Sequence, residues 1–274
     1  MPDSVTWLSL PGPVREAIHQ HTGIVTWTSP GGQGWSTSLR LILQGTNGRA
    51  FIKGTGPGDG DILAHQRRRL ALGADLAPHL TAISPPLLFR VDAEGWNITG
   101  WPALPGRPWA NQAPRSPDVP KIAGLLATLA QVPAPDIVTG TARDDWGHWT
   151  DNPDALDGDS LCHSDPKASN FVVDDDHIWL VDWGWALRGP AWLTPALTVL
   201  SLIESGWDPG DAEQALMTIP AWRDAPRPAV QAFADANARM WERAAEKAPS
   251  HRLRRLKRDI SRLWADYRET SWQT

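Results

Sequence analysis

Residues 161–186, LCHSDPKASNFVVDDDHIWLVDWGWA, hold His163, Asp165, Lys167 and Asn170 in one short stretch, with a further carboxylate, Asp182, at the far end of an apolar run. These residue types at this spacing suit the transfer of a phosphoryl group from a nucleotide to a hydroxyl. Such a transfer needs a carboxylate that orients the attacking hydroxyl and takes its proton. It also needs oxygen donors for magnesium, and cations where charge develops on the phosphoryl group. In the pattern His-x-Asp-x-x-x-x-Asn over 163–170, Asp165 is the candidate base and Asn170 a neutral metal donor. Asp182 is a second, charged donor. Other chemistries fit less well. His163, Ser164 and Asp165 carry the letters of a hydrolase triad, but consecutive residues cannot form a relay, and there is no Gly-x-Ser-x-Gly elbow. A transition-metal site from Cys162, His163 and Asp165 lacks the usual ligand spacing. Cys162 and His163 are neighbours and point to opposite faces of a strand, so Cys162 reads as a buried structural thiol.

These residues need elements to position them. The runs FVVD (171–174) and IWLVDW (178–183) read as two short strands joined by an acidic turn, with 163–170 a loop before the first and Asp182 at the end of the second. Upstream, residues 14–23 read as a helix stopped by Gly23. Strands are expected over 24–29, 38–45 and 49–56, the last carrying Lys53. The glycine-rich PGGQGWST (30–37) separates the first two; a phosphate-cradling loop and a plain hairpin turn explain it equally well. Residues 61–77 read as a helix with Asp61 as its N-cap, and 86–101 as a hairpin turning at Ala93–Gly95. After the proline-rich 102–120 the chain is mainly helical, with helices expected at 118–132, 194–205, 211–219, 228–247 and the C-terminal end. The expected division is therefore 1–101, a strand-rich lobe, and 102–274, a mainly helical one.

Composition excludes several classes. With 274 residues, 41% of them hydrophobic and 21% charged, the chain reads as an ordinary globular protein of one domain in two lobes. A net charge of -5 argues against nucleic acid as the partner. The basic HRLRRLKRD (251–259) alternates with Leu253, Leu256, Ile260 and Leu263 and reads as the wet side of an amphipathic helix. No apolar run is long enough for a membrane span and no signal segment is visible, so the expected setting is the cytoplasm. One cysteine forms no internal disulfide and agrees with that setting. The 17 tryptophans follow no fixed period and are read as packing residues, with one or two lining a pocket.

HSDPKASN (163–170) and LVDWGWALRGPAW (180–192) resemble the catalytic loop and metal-binding segment of the aminoglycoside phosphotransferase and choline kinase group, which are protein-kinase-like small-molecule phosphotransferases. The resemblance implies an α+β, protein-kinase-like two-lobed fold with a small antiparallel-sheet N-lobe and a larger helical C-lobe. It implies an enzyme that takes ATP or GTP as donor with Mg2+. It makes Asp165 the catalytic base, Asn170 and Asp182 magnesium ligands, and His163 a prop for the loop. Lys167 stands where protein kinases place a lysine near the γ-phosphate; the plain alternative is a solvent-facing lysine. Lys53, in RAFIKG, resembles the lysine that reaches the α- and β-phosphates. Gly32, Gly34, Ser36 and Ser38 would cover the phosphates.

Two positions depart from the family. Arg69 occupies the helix position where relatives carry the glutamate that pairs with the strand lysine, and Asp61 is a possible substitute. Thr194 stands where relatives tend to have an aspartate. Both keep a catalytically silent nucleotide-binding module open as an alternative. TARDDWGHWTDNPDALDGD (141–159) is rich in acids and aromatics, so Asp144, Asp145, Asp151 and Asp159 either meet a cationic amine on the acceptor or form a solvated acidic loop. The family's acceptors are hydroxylated small molecules; an antibiotic is the favoured expectation and a metabolite the neighbouring one. A protein kinase is disfavoured, because no Ala-Pro-Glu segment follows Asp182.

Overall fold

Along residues 39–43, Leu39, Leu41 and Leu43 alternate with Arg40 and Ile42, and the leucines are buried. That period-2 pattern sends one face of a strand into a core. The computed structural model describes residues 5–32 and 38–271, and packing divides them into two units. The first comprises residues up to Gly106 together with Val181–Gly184; the second comprises Arg107–Leu180 and the chain from Trp185 onward.

The first unit is a five-stranded antiparallel sheet in the order β1-β2-β3-β5-β4, from β1 (Val25–Pro30), β2 (Leu39–Gly45), β3 (Gly48–Thr55), β4 (Phe89–Ala93) and β5 (Trp96–Pro102). Helix α1 (Gly12–Thr22) closes one face, where Val14 and Ile18 join Leu39, Leu41, Leu43, Ala50, Ile52 and Ile98 in one core. Each fully buried Ile or Leu there contributes about 1.5–3 kcal/mol relative to exposure. Gly23 ends α1 at φ 69°. The β4–β5 hairpin turns on Glu94 and Gly95, at φ 50° and 73°, the mirror-image turn whose twist suits paired strands. Helix α2 (Asp61–Leu76) corrects one expectation: Gly60, at φ 106°, is the cap, and Asp61 is the first helical residue with no side-chain capping bond. The cap position falls one residue earlier, at a positive φ that glycine fills easily. The Asp61 carboxylate still lies in the first turn, where the helix dipole favours it.

The second unit is helical with two small antiparallel ribbons. Its helices are α3 (Asp118–Leu129), α4 (Ala142–Trp146), α5 (Leu193–Glu204), α6 (Pro209–Ala215), α7 (Pro220–Arg223), α8 (Arg227–Lys247) and α9 (Arg252–Ser271). The ribbons pair β6 (Ser160–His163) with β9 (Ala186–Gly189), and β7 (Phe171–Val173) with β8 (Ile178–Leu180). Phe233 of α8 is the centre of the core: Trp146, Trp192 and Trp264 meet its ring edge-on at centroid distances of 5.3, 6.0 and 6.2 Å.

Three expectations are corrected along this part of the chain. His163 is not in a loop but ends β6. Helix 211–219 stops at Ala215, because Pro220 disfavours helical backbone at Ile219 and opens α7 instead. Asp182 does not end a strand: β8 stops at Leu180, and Asp182 follows in left-handed backbone at φ 70°, grouped with the first unit. Among the described residues, no helix is long and apolar enough to cross a membrane.

Candidate active site

In the second unit, β6 delivers the chain to the 163–170 loop. His163 is buried, and its Nδ1 accepts the Asp165 backbone N–H at 3.2 Å. Its own backbone N–H donates to Thr194 Oγ1 at 2.9 Å, and that hydroxyl lies 3.5 Å from the His163 carbonyl. Thr194, in the first turn of α5, thus braces the end of β6 from the position where an aspartate was expected. Asn170, also buried, closes the loop: its Nδ2 donates to the Asp165 carbonyl at 2.7 Å and to Asp165 Oδ2 at 3.2 Å. Lys167 Nζ donates to the same Oδ2 at 2.5 Å. The Asp165 carboxylate, 35% exposed, is thereby oriented by two donors while part of it stays open to solvent. Because Asn170 commits its amide N–H to Asp165, its Oδ1 is the atom of that side chain suited to a hard cation.

In the first unit, Lys53 lies on the sheet face opposite Ile52 and α1, in register with Thr99 of β5. Its Nζ donates to Asp182 Oδ1 at 3.1 Å, with the side chains 14% and 29% exposed. The carboxylate partner of Lys53 is therefore Asp182, and neither Asp61 nor a mid-helix acid of α2. Arg69 of α2 donates through Nε to the Gly184 carbonyl at 3.3 Å. Ser38 Oγ accepts the Gly56 N–H at 3.3 Å, and Gly32 has φ 85° with open space where a Cβ would be. Gly34 and Ser36 lie outside the described residues.

The cysteine chemistry is settled by burial. Cys162 is buried and its thiol is pushed up to about 12 by desolvation, only partly opposed by a hydrogen bond with Thr194. It is not a thiolate nucleophile at neutral pH.

A cavity within the second unit opens beside Asp165. Ser164, Asp165, Pro166 and Lys167 form one side. The rest is Trp146 of α4, Leu197, Leu200 and Ser201 of α5, Asn237, Met240 and Trp241 of α8, and Lys257, Ile260 and Ser261 of α9. Trp146 Nε1 donates to Asn237 Oδ1 at 3.1 Å, and Asn237 Nδ2 donates to Ser261 Oγ at 2.9 Å, so the polar groups of this wall are paired with one another. Lys257 is tied to Glu204 at 2.5 Å.

Sequence reasoning did not find this lining. Its signal is that α5, α8 and α9 each offer residues spaced i, i+3, i+4, one face of a helix. Each helix has several such triplets, and only packing selects the ones used. The acidic stretch stands elsewhere. None of Asp144, Asp145, Asp151 and Asp159 lines the cavity. Asp144 caps α4, accepting the Thr141 N–H at 3.0 Å and its hydroxyl at 2.7 Å, and Asp159 pairs with Arg188 at 3.0 Å. Partial desolvation of the Asp145 carboxyl, and then neighbouring Asp144, raise its pKa.

The fold is that of the protein-kinase-like small-molecule phosphotransferases. It is similar to an aminoglycoside 2'-phosphotransferase of type IIIa in a GDP complex, at TM-score 0.57 and 14% identity over 91% of this chain and 93% of the other. It is similar to a spectinomycin phosphotransferase in complex with ADP and spectinomycin, at TM-score 0.56 and 12% identity over 92% of each chain. A choline/ethanolamine kinase family protein from Mesorhizobium loti gives TM-score 0.55 and 15% identity over 92% of this chain and 93% of that one. No family model matches the chain, and no curated protein matches its sequence.

Proposed function

We propose that this chain is a small-molecule O-phosphotransferase that moves the γ-phosphoryl group of ATP or GTP to a hydroxyl of an acceptor bound in the cavity beside Asp165. The observation that carries this reading is the arrangement of Asp165: one carboxylate oxygen is held by Lys167 and Asn170, and the residue lines a cavity. A carboxylate so oriented accepts the hydroxyl proton as the oxygen attacks phosphorus, which is the base's part in this transfer. Lys167 Nζ is close enough to balance charge at the same point. His163 and Thr194 hold the loop from behind.

Lys53 is assigned to the nucleotide phosphates, with Gly32, Gly34, Ser36 and Ser38 proposed as further phosphate contacts. ADP and GDP in the complexes of similar folds support a nucleotide donor. Asn170 and Asp182 are hard oxygen donors, the type magnesium prefers, and are assigned to it. When bound, magnesium neutralises charge on the β- and γ-phosphates. The setting that goes with this reading is the cytoplasm, where ATP, GTP and magnesium are abundant.

An antibiotic is the acceptor we favour, in resistance or self-protection, with spectinomycin and aminoglycoside phosphotransferases among the similar structures. A metabolic kinase, as the choline/ethanolamine kinase family protein suggests, is the second reading. The lining supports an acceptor gripped largely through apolar and aromatic surface, because Asp165 is its sole carboxylate among the described residues. A cationic amine would have to be met by the acidic stretch of Asp144, Asp145 and Asp159 instead.

Transfer of labelled phosphate from ATP or GTP to a panel of hydroxylated antibiotics and amino alcohols tests the proposal. Asp165→Asn should lower turnover about 10²–10⁴-fold while nucleotide affinity holds. Undiminished turnover in that variant contradicts the assignment of the base.

A further inference from the structure

Arg69 stands on α2 with its Nε 3.3 Å from the Gly184 carbonyl, two residues after Asp182. The contact between that helix and that segment is close along a full turn. A Cβ built on Gly184 would lie 2.9 Å from the Arg69 carbonyl oxygen and 3.1 Å from its Cβ. One turn further, a Cβ on Gly73 would lie 3.6 Å from the Gly184 nitrogen and 3.8 Å from the Trp183 carbonyl carbon. Arg69 and Gly73 therefore form a seat on one face of α2 for residues 183–184. Asp182 itself is in left-handed backbone at φ 70°, which a residue with a Cβ adopts only where its surroundings impose it. Two side-chain bonds bear on this segment: Lys53 Nζ holds the Asp182 carboxylate, and Arg69 holds the carbonyl two residues on.

We infer that Arg69 is a positioning residue: it ties the Val181–Gly184 segment to α2, fixes the conformation of Asp182, and through Asp182 fixes the ammonium of Lys53. A donor on α2 is required because the group it must hold is a backbone carbonyl. An acid at position 69 would have nothing to donate to it. The departure at Arg69 is thus an alternative way of ordering Lys53, not a sign of a dead site. The part of this inference that concerns nucleotide rests on the function proposed above.

The experiment compares wild type, Arg69→Met, which keeps length and loses the donors, and Arg69→Lys, which keeps a charged donor. Amide hydrogen exchange is followed in the peptide covering residues 179–188, and Mg·ATP and Mg·GTP affinity with kcat and KM in parallel. Arg69→Met should speed exchange in that peptide about tenfold and raise the nucleotide KM to a similar extent, with kcat at saturation little changed. Arg69→Lys should restore most of both. Gly184→Ala, which forces backbone against the Arg69 main chain, should reproduce the Arg69→Met pattern and stands in if that variant folds poorly. Unchanged exchange and unchanged nucleotide affinity in Arg69→Met overturn the inference. Wild-type protein that binds neither nucleotide overturns the phosphotransferase reading instead, and the exchange measurement still decides the role of Arg69.

Discussion

Asp165 and Asp182 differ in what holds them. Asp165 takes a lysine and an asparagine from its own loop, so its geometry is local and survives in a short stretch of chain. Asp182 takes Lys53, 129 positions away, so its partner is supplied by the tertiary fold. This is why the first was legible in the sequence as a spacing, whereas the partner of the second was not. No local pattern announces which acid a distant lysine will meet, and α2 offers Arg69 where an acid was expected. Asp144 and Asp159 show the converse, where residues with chemical potential serve a cap and an ion pair. Cys162 makes a testable case at this scale. A thiol raised to about 12 carries about one thiolate in ten thousand at pH 8, and the group is buried as well. Native protein should therefore resist a disulfide reagent such as DTNB for hours at pH 8 and react at once in guanidinium; prompt reaction of the native thiol would contradict its burial.

At the scale of elements, long periodic segments were readable and short pairings were not. The strands of the five-stranded sheet, α2, α8 and α9 follow from clear apolar periods. The β6–β9 ribbon has four residues a side, and its pairing joins Ser160 to Gly189, too few and too distant for any period to show. Yet that ribbon presents His163, so a short element matters most to the proposed base. In the first unit the sheet has positions that only a small residue fills. Gly100 of β5 faces Phe89 of β4, and a Cβ there would come within 2.3 Å of the phenyl ring. Gly100→Ala should destabilise the protein by about 1–3 kcal/mol through overpacking, read as a lower urea midpoint at an unchanged slope. An unaltered midpoint would mean the ring moves aside freely.

At the scale of the whole molecule, the fold is shared with proteins of 12–15% identity, so what persists is the arrangement of elements and not the residues that fill it. The two unexpected residues each make a structural contact: Arg69 anchors a carbonyl and Thr194 braces the His163 backbone, while Asp182 is the partner of Lys53. The acceptor was the least legible feature, since its cavity is assembled from single turns of α5, α8 and α9 that no motif marks. The central claim is that the chain binds a magnesium nucleotide through Asp182 and uses it. The most direct measurement is thermal unfolding with magnesium plus ATP or GTP, against magnesium alone, in wild type and Asp182→Ala. Nucleotide at 100 times its dissociation constant adds about 2.7 kcal/mol, which raises the midpoint by several degrees in a chain of this size. The account predicts that rise in wild type and its loss in Asp182→Ala. No rise with either nucleotide, or a rise that survives the substitution, would contradict it.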